Sequence, residues 1–182
     1  GFNSLKNDSD FVCFLNNDVI VSSDFLTHFR NGINKFGKNC IFGPKIYFEY
    51  PSGKIWYGGG TVNLALGQIY HQHIGLQDNK ENSQSGLTGY ITGCCLLISK
   101  NLFKKLNGYD ESFNMYAEDV DLCLRAKKLN IDCIYIPDAK IWHKVSSSTG
   151  GRFSINKYLK KINSIQKLIK IHQPQLNPLK TA

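Results

Sequence analysis

The chain has no apolar run long enough to matter to a bilayer. Stretches such as Cys94–Ile98 fall far short of the about 20 residues that a membrane-crossing helix needs. It has six cysteines but no C-x-x-C spacing, and several of them sit inside apolar, strand-like runs. That argues against a zinc ribbon or a disulfide framework and for buried, reduced thiols in a cytoplasmic protein. It shows no internal repeat. It also has no acidic residue after residue 143: all 14 acids lie before Lys144, together with 14 of the 22 basic residues. The net charge of +8 is therefore carried by the last 39 residues, and the body is neutral. A nucleic-acid binder carries its basic residues along a groove with interleaved aromatics, and this distribution argues against one.

What is present is one domain's worth of chain, 182 residues with 42% hydrophobic content, enough for a sizeable core. Strand-like and helix-like segments alternate, so the class is α/β. Phe11–Leu15 is apolar on both faces, as in a strand covered by helices on either side of a parallel sheet, and it runs straight into Asn16-Asn17-Asp18. Ligands bind at the carboxyl ends of such strands. Residues 22–37 spell a helix, with Ser22 or Ser23 as cap, Phe25, Phe29, Ile33 and Phe36 as its stripe, and Gly37 as its stop. "CIFGPKIYFEY" and "KIWYGG" read as strands joined by a turn, and residues 58–88 as mostly loop with short strands. "TGCCLLIS" is a further buried strand, "KNLFKKLNG" a short helix, and "DCIYIP" and "AKIWH" two late strands. Ile155, Tyr158, Leu159, Ile162, Ile165, Leu168 and Ile169 keep helical spacing among lysines.

The strongest chemical signal is "YAEDVDLCLRAKKL", where Glu118, Asp119 and Asp121 crowd a helix start. Leu122, Cys123, Ala126 and Leu129 predict the apolar stripe, with Asp119 on the same face, while Asp121 stands four residues before Arg125. Complementing the helix dipole accounts for Asp121 and Glu118 but not for an acid on the buried face. Trp142-His143 ends a late strand as Asp18 follows an early one, and a carboxylate and an imidazole at neighbouring strand ends can share a divalent cation. The segment from Lys144 to Arg152, small residues between two cations, is either a phosphate-covering loop or a solvated linker. His71-Gln72-His73 has no evident third ligand and reads as surface.

In order, "FLNNDV", "IWYGGG", "TGCCLLIS", "LNGYDESFNMYAEDVDLCLR", "IPDAKIWH" and "SSSTGG" resemble the motifs of inverting, GT-A-fold family 2 glycosyltransferases, in particular the bacterial rhamnosyltransferase-like branch. The resemblance implies a GT-A-like (Rossmann-like) mixed sheet flanked by helices, without that family's N-terminal nucleotide-binding strands. Residues 1–151 then correspond to the metal and acceptor part of the catalytic domain, and 152–182 to a basic amphipathic helix and tail. It implies Asp18 and His143 as ligands of Mg²⁺ or Mn²⁺ on a donor diphosphate, with Lys144 and Arg152 also contacting the donor. Asp119 becomes the general base supported by Glu118 and Asp121, and Thr92, Gly93 and Cys94 line the acceptor side. Asn16 stands where many members carry Asp. The implied partners are a nucleotide-sugar donor, a glycan or lipid-linked acceptor and an anionic membrane surface, with no nucleic acid. The implied place is the cytoplasm or the inner face of the membrane. A non-catalytic glycan- or lipid-carrier-binding module on the same scaffold is the alternative.

Overall fold

The structure is a computed structural model that describes residues 9–50, 52–113, 116–144 and 155–176. Its strands are β1 (Phe11–Leu15), β2 (Val19–Val21), β3 (Cys40–Phe48), β4 (Ile55–Tyr57), β5 (Gly60–Asn63), β6 (Gln68–His71), β7 (Gly86–Leu87), β8 (Cys95–Ser99) and β9 (Asp132–His143). The helices are α1 (Phe25–Phe36), α2 (Lys100–Lys105), α3 (Glu118–Lys128) and α4 (Ile155–His172).

The main sheet is mixed, in the order β1-β8-β3-β9-β2, with β4 beside β3 and β7 beside β9. β3 lies between β8, antiparallel, and β9, parallel, and is buried along almost its whole length. That position explains its largely apolar sequence, in which Lys45 is the one charged residue. It also explains the fate of Lys45, which is fully buried and gives its ammonium to Asp78, Asn82 and Ser83, while Tyr47 Oη donates to Asp78 at 2.6 Å. A charge taken from water needs such partners, and here they tie the 77–83 loop to the sheet centre.

Four expectations change. β1 pairs antiparallel with β8 and is only half-buried, because β8 is its one strand neighbour among the described residues. "DCIYIP" and "AKIWH" are one 12-residue strand, β9. The register slips between Pro44 and Lys45 of β3, and this irregularity absorbs Pro137, which has no N–H to give a ladder. The N-cap of α1 is Asp24 rather than a serine, with the Ser22 carbonyl accepting from Phe25 N–H at 3.2 Å. On α3, Leu129 is 47% exposed, whereas Val120 and Asp121 are buried with Leu122, Cys123 and Ala126.

β1 runs parallel to β3 and β9, since both β1 and β3 oppose β8. Residues 16–18 and His143 therefore emerge at the same end of the sheet, where the 92–94 turn enters β8. The C-terminal helix is part of the core: Leu168 of α4 is fully buried, and Lys167 Nζ lies 4.5 Å from the centre of the Phe113 ring.

Candidate functional site

Two clusters form at this end of the sheet. The first follows from β2, which pairs antiparallel with β9 so that Val19 faces His143. Lys144 N–H donates to the Asp18 carbonyl at 2.9 Å, closing the ladder. The pairing brings Asp18 Oδ1 within 3.2 Å of His143 Nε2. His143 is buried, with the Trp56 ring edge-on at 4.7 Å. Burial holds its pKa below the usual imidazole range against the opposing pull of Asp18, so the ring is neutral near pH 7. Its Nδ1 is buried and has no hydrogen-bond partner among the described residues.

A carboxylate and a neutral imidazole, one with an orphaned ring nitrogen, suit a divalent cation in donor chemistry. They do not suffice to retain one: among the described residues no group of three or more His, Cys, Asp or Glu side chains could hold a metal. The pair fits an ion that takes its remaining ligands from substrate phosphates and water.

The second cluster is built on the start of α3. Tyr116 and Ala117 both adopt left-handed backbone, φ 70° and 73°, which costs energy for residues with a Cβ and is typical of sites the surrounding fold enforces. That turn delivers Asp119 against the 92–94 segment. Gly93 N–H donates to Asp119 Oδ2 at 2.7 Å and Val120 N–H to Oδ1 at 2.8 Å. Burial pushes the Asp119 carboxyl up to about 6, and the neighbouring Glu118 charge adds to this while the two amides oppose it. Glu118 Oε2 is buried and has no hydrogen-bond partner among the described residues. Thr92 and Cys94 are buried beside them, and burial raises the Cys94 thiol to about 12 with help from the charges of Asp18 and Asp119. Cys94 thus stays a thiol and is no nucleophile.

Asp119, Glu118, Thr92, Gly93 and Cys94 line one cavity of about 580 Å³, which Asn16 also reaches. Asp121 is not among them. Two residues along a helix turn roughly 200°, and Asp121 faces away, 1% exposed, 2.8 Å from Arg125 Nε and 2.8 Å from His172 Nε2. Arg125 also donates to the carbonyls of Leu106 and Gly108. The expected pair with Arg125 is present, but its work is to tie α3 to the end of α4. Lys144 is exposed at the end of β9 and does not line the cavity. Arg152 lies outside the described residues.

The cavity has a wall that the sequence reading missed, and His71 is its clearest correction. It does not lie on the surface: its ring packs at 4.4 Å from Trp56, 5.1 Å from Tyr57 and 6.2 Å from Tyr90. Burial depresses its pKa to about 4. Its Nδ1 lies 3.1 Å from the Trp56 carbonyl, so the neutral ring donates there and leaves Nε2 bare. β5 and β6 form the hairpin that presents it, with Gly60 opposite His71. A Cβ on Gly60 would meet the Tyr90 ring at 2.2 Å, so the last glycine of "YGGG" exists to seat that ring. Tyr70, Tyr116 and, from α4, Lys161, Ser164 and Ile165 complete the wall.

No family model matches the chain. It is 40% identical over 153 residues to the N-acetylglucosaminyl-diphospho-decaprenol L-rhamnosyltransferase of Mycobacterium tuberculosis, covering 78% of this chain and 49% of that protein. It is 27% identical over 138 residues to the rhamnosyltransferase WbbL of Escherichia coli, covering 71% and 50%. The chain thus spans about half the length of these curated relatives. Among solved structures, that of GalNAc-T7 with UDP, GalNAc and Mn²⁺ superposes with a TM-score of 0.65 at 12% identity, over 89% of this chain and 31% of that one, which speaks to the fold alone.

Proposed function

The chain belongs to the GT-A-fold family 2 glycosyltransferases, and from that premise we propose that it serves the transfer of a sugar from a nucleoside-diphosphate donor to a hydroxyl acceptor, with inversion. The acceptor is a glycan or lipid-linked sugar. The observation that carries the proposal is Asp119: a carboxyl held by two amides in a cavity that admits a sugar, with its pKa moved up to about 6. A general base works best with a pKa near the operating pH, and this one is ionised at neutrality yet basic enough to take a proton.

In the step, Asp119 removes the proton of the acceptor hydroxyl. The oxygen attacks the anomeric carbon from the face opposite the diphosphate, the new glycosidic bond forms, and the bond from that carbon to the phosphate oxygen breaks with its electrons. The amides of Gly93 and Val120 fix the carboxylate so that no reorientation accompanies proton transfer. The bare Nε2 of His71 is placed to accept from a second sugar hydroxyl, and Trp56 and Tyr70 offer faces for the ring. Asp18 and His143 would hold Mg²⁺ or Mn²⁺, which when bound neutralises the charge of the departing diphosphate. Glu118 adds negative charge beside Asp119 and supports its basicity.

The test is a transfer assay with nucleotide sugars and a panel of glycan and lipid-linked acceptors. The Asp119→Asn variant should lose about 10²–10⁴-fold in rate with donor binding retained. Transfer at near wild-type rate by that variant removes Asp119 from the mechanism. Binding of glycans without any donor turnover by the wild type would instead favour a non-catalytic binding module.

A further inference from the structure

The acceptor cavity carries two carboxylates, Glu118 and Asp119, and a neutral imidazole, yet Lys161 of α4 stands in its wall. Lys161 is the one Lys or Arg lining the cavity among the described residues. Its Nζ is 5.5 Å from the centre of the Tyr116 ring, next to the strained turn that begins α3. No carboxylate lies within ion-pair distance of it among the described residues, so the ammonium is not committed to Glu118 or Asp119. Its charge nonetheless reaches into the cavity, where it helps keep His71 unprotonated.

The position of Lys161 is set by the fold. α4 is anchored in its second half by the burial of Leu168, by Lys167 on Phe113 and by His172 on Asp121. Ser164 and Ile165 follow Lys161 by three and four residues on the same helical face and continue the wall. Lys161 itself is exposed, at the mouth, while Asp119 lies inside.

We propose that Lys161 reads a phosphate attached to the acceptor sugar. An acceptor whose hydroxyl reaches Asp119 then has its phosphate at the mouth, against a cation that no carboxylate among the described residues neutralises. The proposal rests on the acceptor reading of this cavity and makes Lys161 a specificity-determining residue within it, selecting sugar phosphates over neutral glycosides.

The experiment is a fluorescence titration of the full chain, with Trp56 in the wall as reporter. The probes are N-acetylglucosamine 1-phosphate, its neutral methyl glycoside, inorganic pyrophosphate and UDP with Mn²⁺. Wild type should bind the sugar phosphate about tenfold more tightly than the methyl glycoside, the low end for a hydrogen bond to a charged group. Lys161→Gln should abolish that preference while leaving the affinity for the glycoside and for UDP unchanged. Lys161→Arg should retain it, which separates loss of charge from loss of fold. Equal binding of the two sugars by wild type, or an undiminished preference in Lys161→Gln, overturns the proposal while leaving the Asp119 mechanism intact. Pyrophosphate binding as tight as that of the sugar phosphate points to a free-anion site and overturns it too. Weakened UDP binding in Lys161→Gln gives the lysine to the donor instead. Binding of neither sugar refutes the acceptor cavity, and the transfer assay on Asp119→Asn then decides separately on the base.

Discussion

Asp119 should make the protein less stable in the same pH range in which it makes it active. Its folded pKa of about 6 lies above the ordinary 3.8, so the folded state binds the proton more tightly than the unfolded chain does. Stability from this group therefore falls as pH rises through the interval between those values, and the full penalty is present above about pH 6. The displacement corresponds to at most about 3 kcal/mol. Over the range from about pH 5 to about pH 8, where few other carboxyls titrate, the change should be about 1.4 kcal/mol. The titratable groups that line the cavity with Asp119 are Glu118, the Cys94 thiol, neutral His71, Lys161 and the phenols of Tyr70, Tyr90 and Tyr116. Of these, His71 and Cys94, at about 4 and about 12, keep one form through that range.

Asp119→Asn supplies the reference. Asparagine offers one acceptor oxygen to two amide donors, Gly93 and Val120, and its own NH₂ must face one of them. That mismatch costs stability, but by an amount that does not depend on pH. Urea unfolding of both proteins at several pH values should thus show the wild type losing about 1.4 kcal/mol relative to the variant across the range. A carbon-detected NMR titration of the Asp119 carboxyl should give a midpoint near 6, and transfer rate should climb through the same midpoint as the base ionises. A stability difference that stays constant with pH, or a carboxyl that titrates near 4, would refute the reasoning.

Asp121→Asn should destabilise the fold by about 3–5 kcal/mol, because it leaves Arg125 and His172 facing a neutral amide in a buried site. Burial raises the Asp121 pKa, but His172 and Arg125 outweigh it and hold the carboxyl below its usual value; its contribution is therefore present at neutral pH and lost as pH falls below that value, which acid unfolding of the wild type and variant will resolve. Gly60→Ala should cost about 1–3 kcal/mol through its collision with the Tyr90 ring and should weaken sugar binding as the wall shifts, measured by urea unfolding and by the same Trp56 fluorescence. Asp18→Asn and His143→Ala should each weaken Mn²⁺-dependent UDP binding without altering sugar-phosphate affinity, and calorimetry with and without Mn²⁺ checks both. No helix among the described residues is long and apolar enough to cross a membrane, and Lys160, Lys170, Tyr158 and Leu159 of α4 are exposed. The Lys160→Glu/Lys170→Glu variant should pellet less than wild type with anionic vesicles at low salt, at about 1 kcal/mol per lysine, and the difference should vanish at high salt.

What could be read from the sequence here was whatever depends on neighbours along the chain. An apolar run ending in Asn-Asn-Asp has to surface at a strand end, and an acid at the start of an apolar helix stripe has to meet the sheet. Both inferences need only the periods of strand and helix. The Asp121–Arg125 pair followed from spacing alone, and spacing also separates Asp119 from Asp121. Treating all three acids as one cluster ignored the roughly 200° that two residues sweep on a helix. The cavity wall was illegible for a different reason. His71 owes its burial to Gly60, to Trp56 and to Tyr90, which meet it only after the β5–β6 hairpin closes over the sheet. Nothing in "YHQHIG" reports such partners, and an imidazole in a polar stretch is rightly read as exposed until they are known. α4 shows the same limit in reverse. Its lysines and apolar stripe describe an amphipathic helix equally well on a membrane or on a core. The choice is made by Asp121, 51 residues upstream, whose buried carboxylate needs a second partner and finds it in His172. A charge that must be satisfied inside the body thus fixes where the helix ends, and with it which of the lysines stands at the mouth of the cavity.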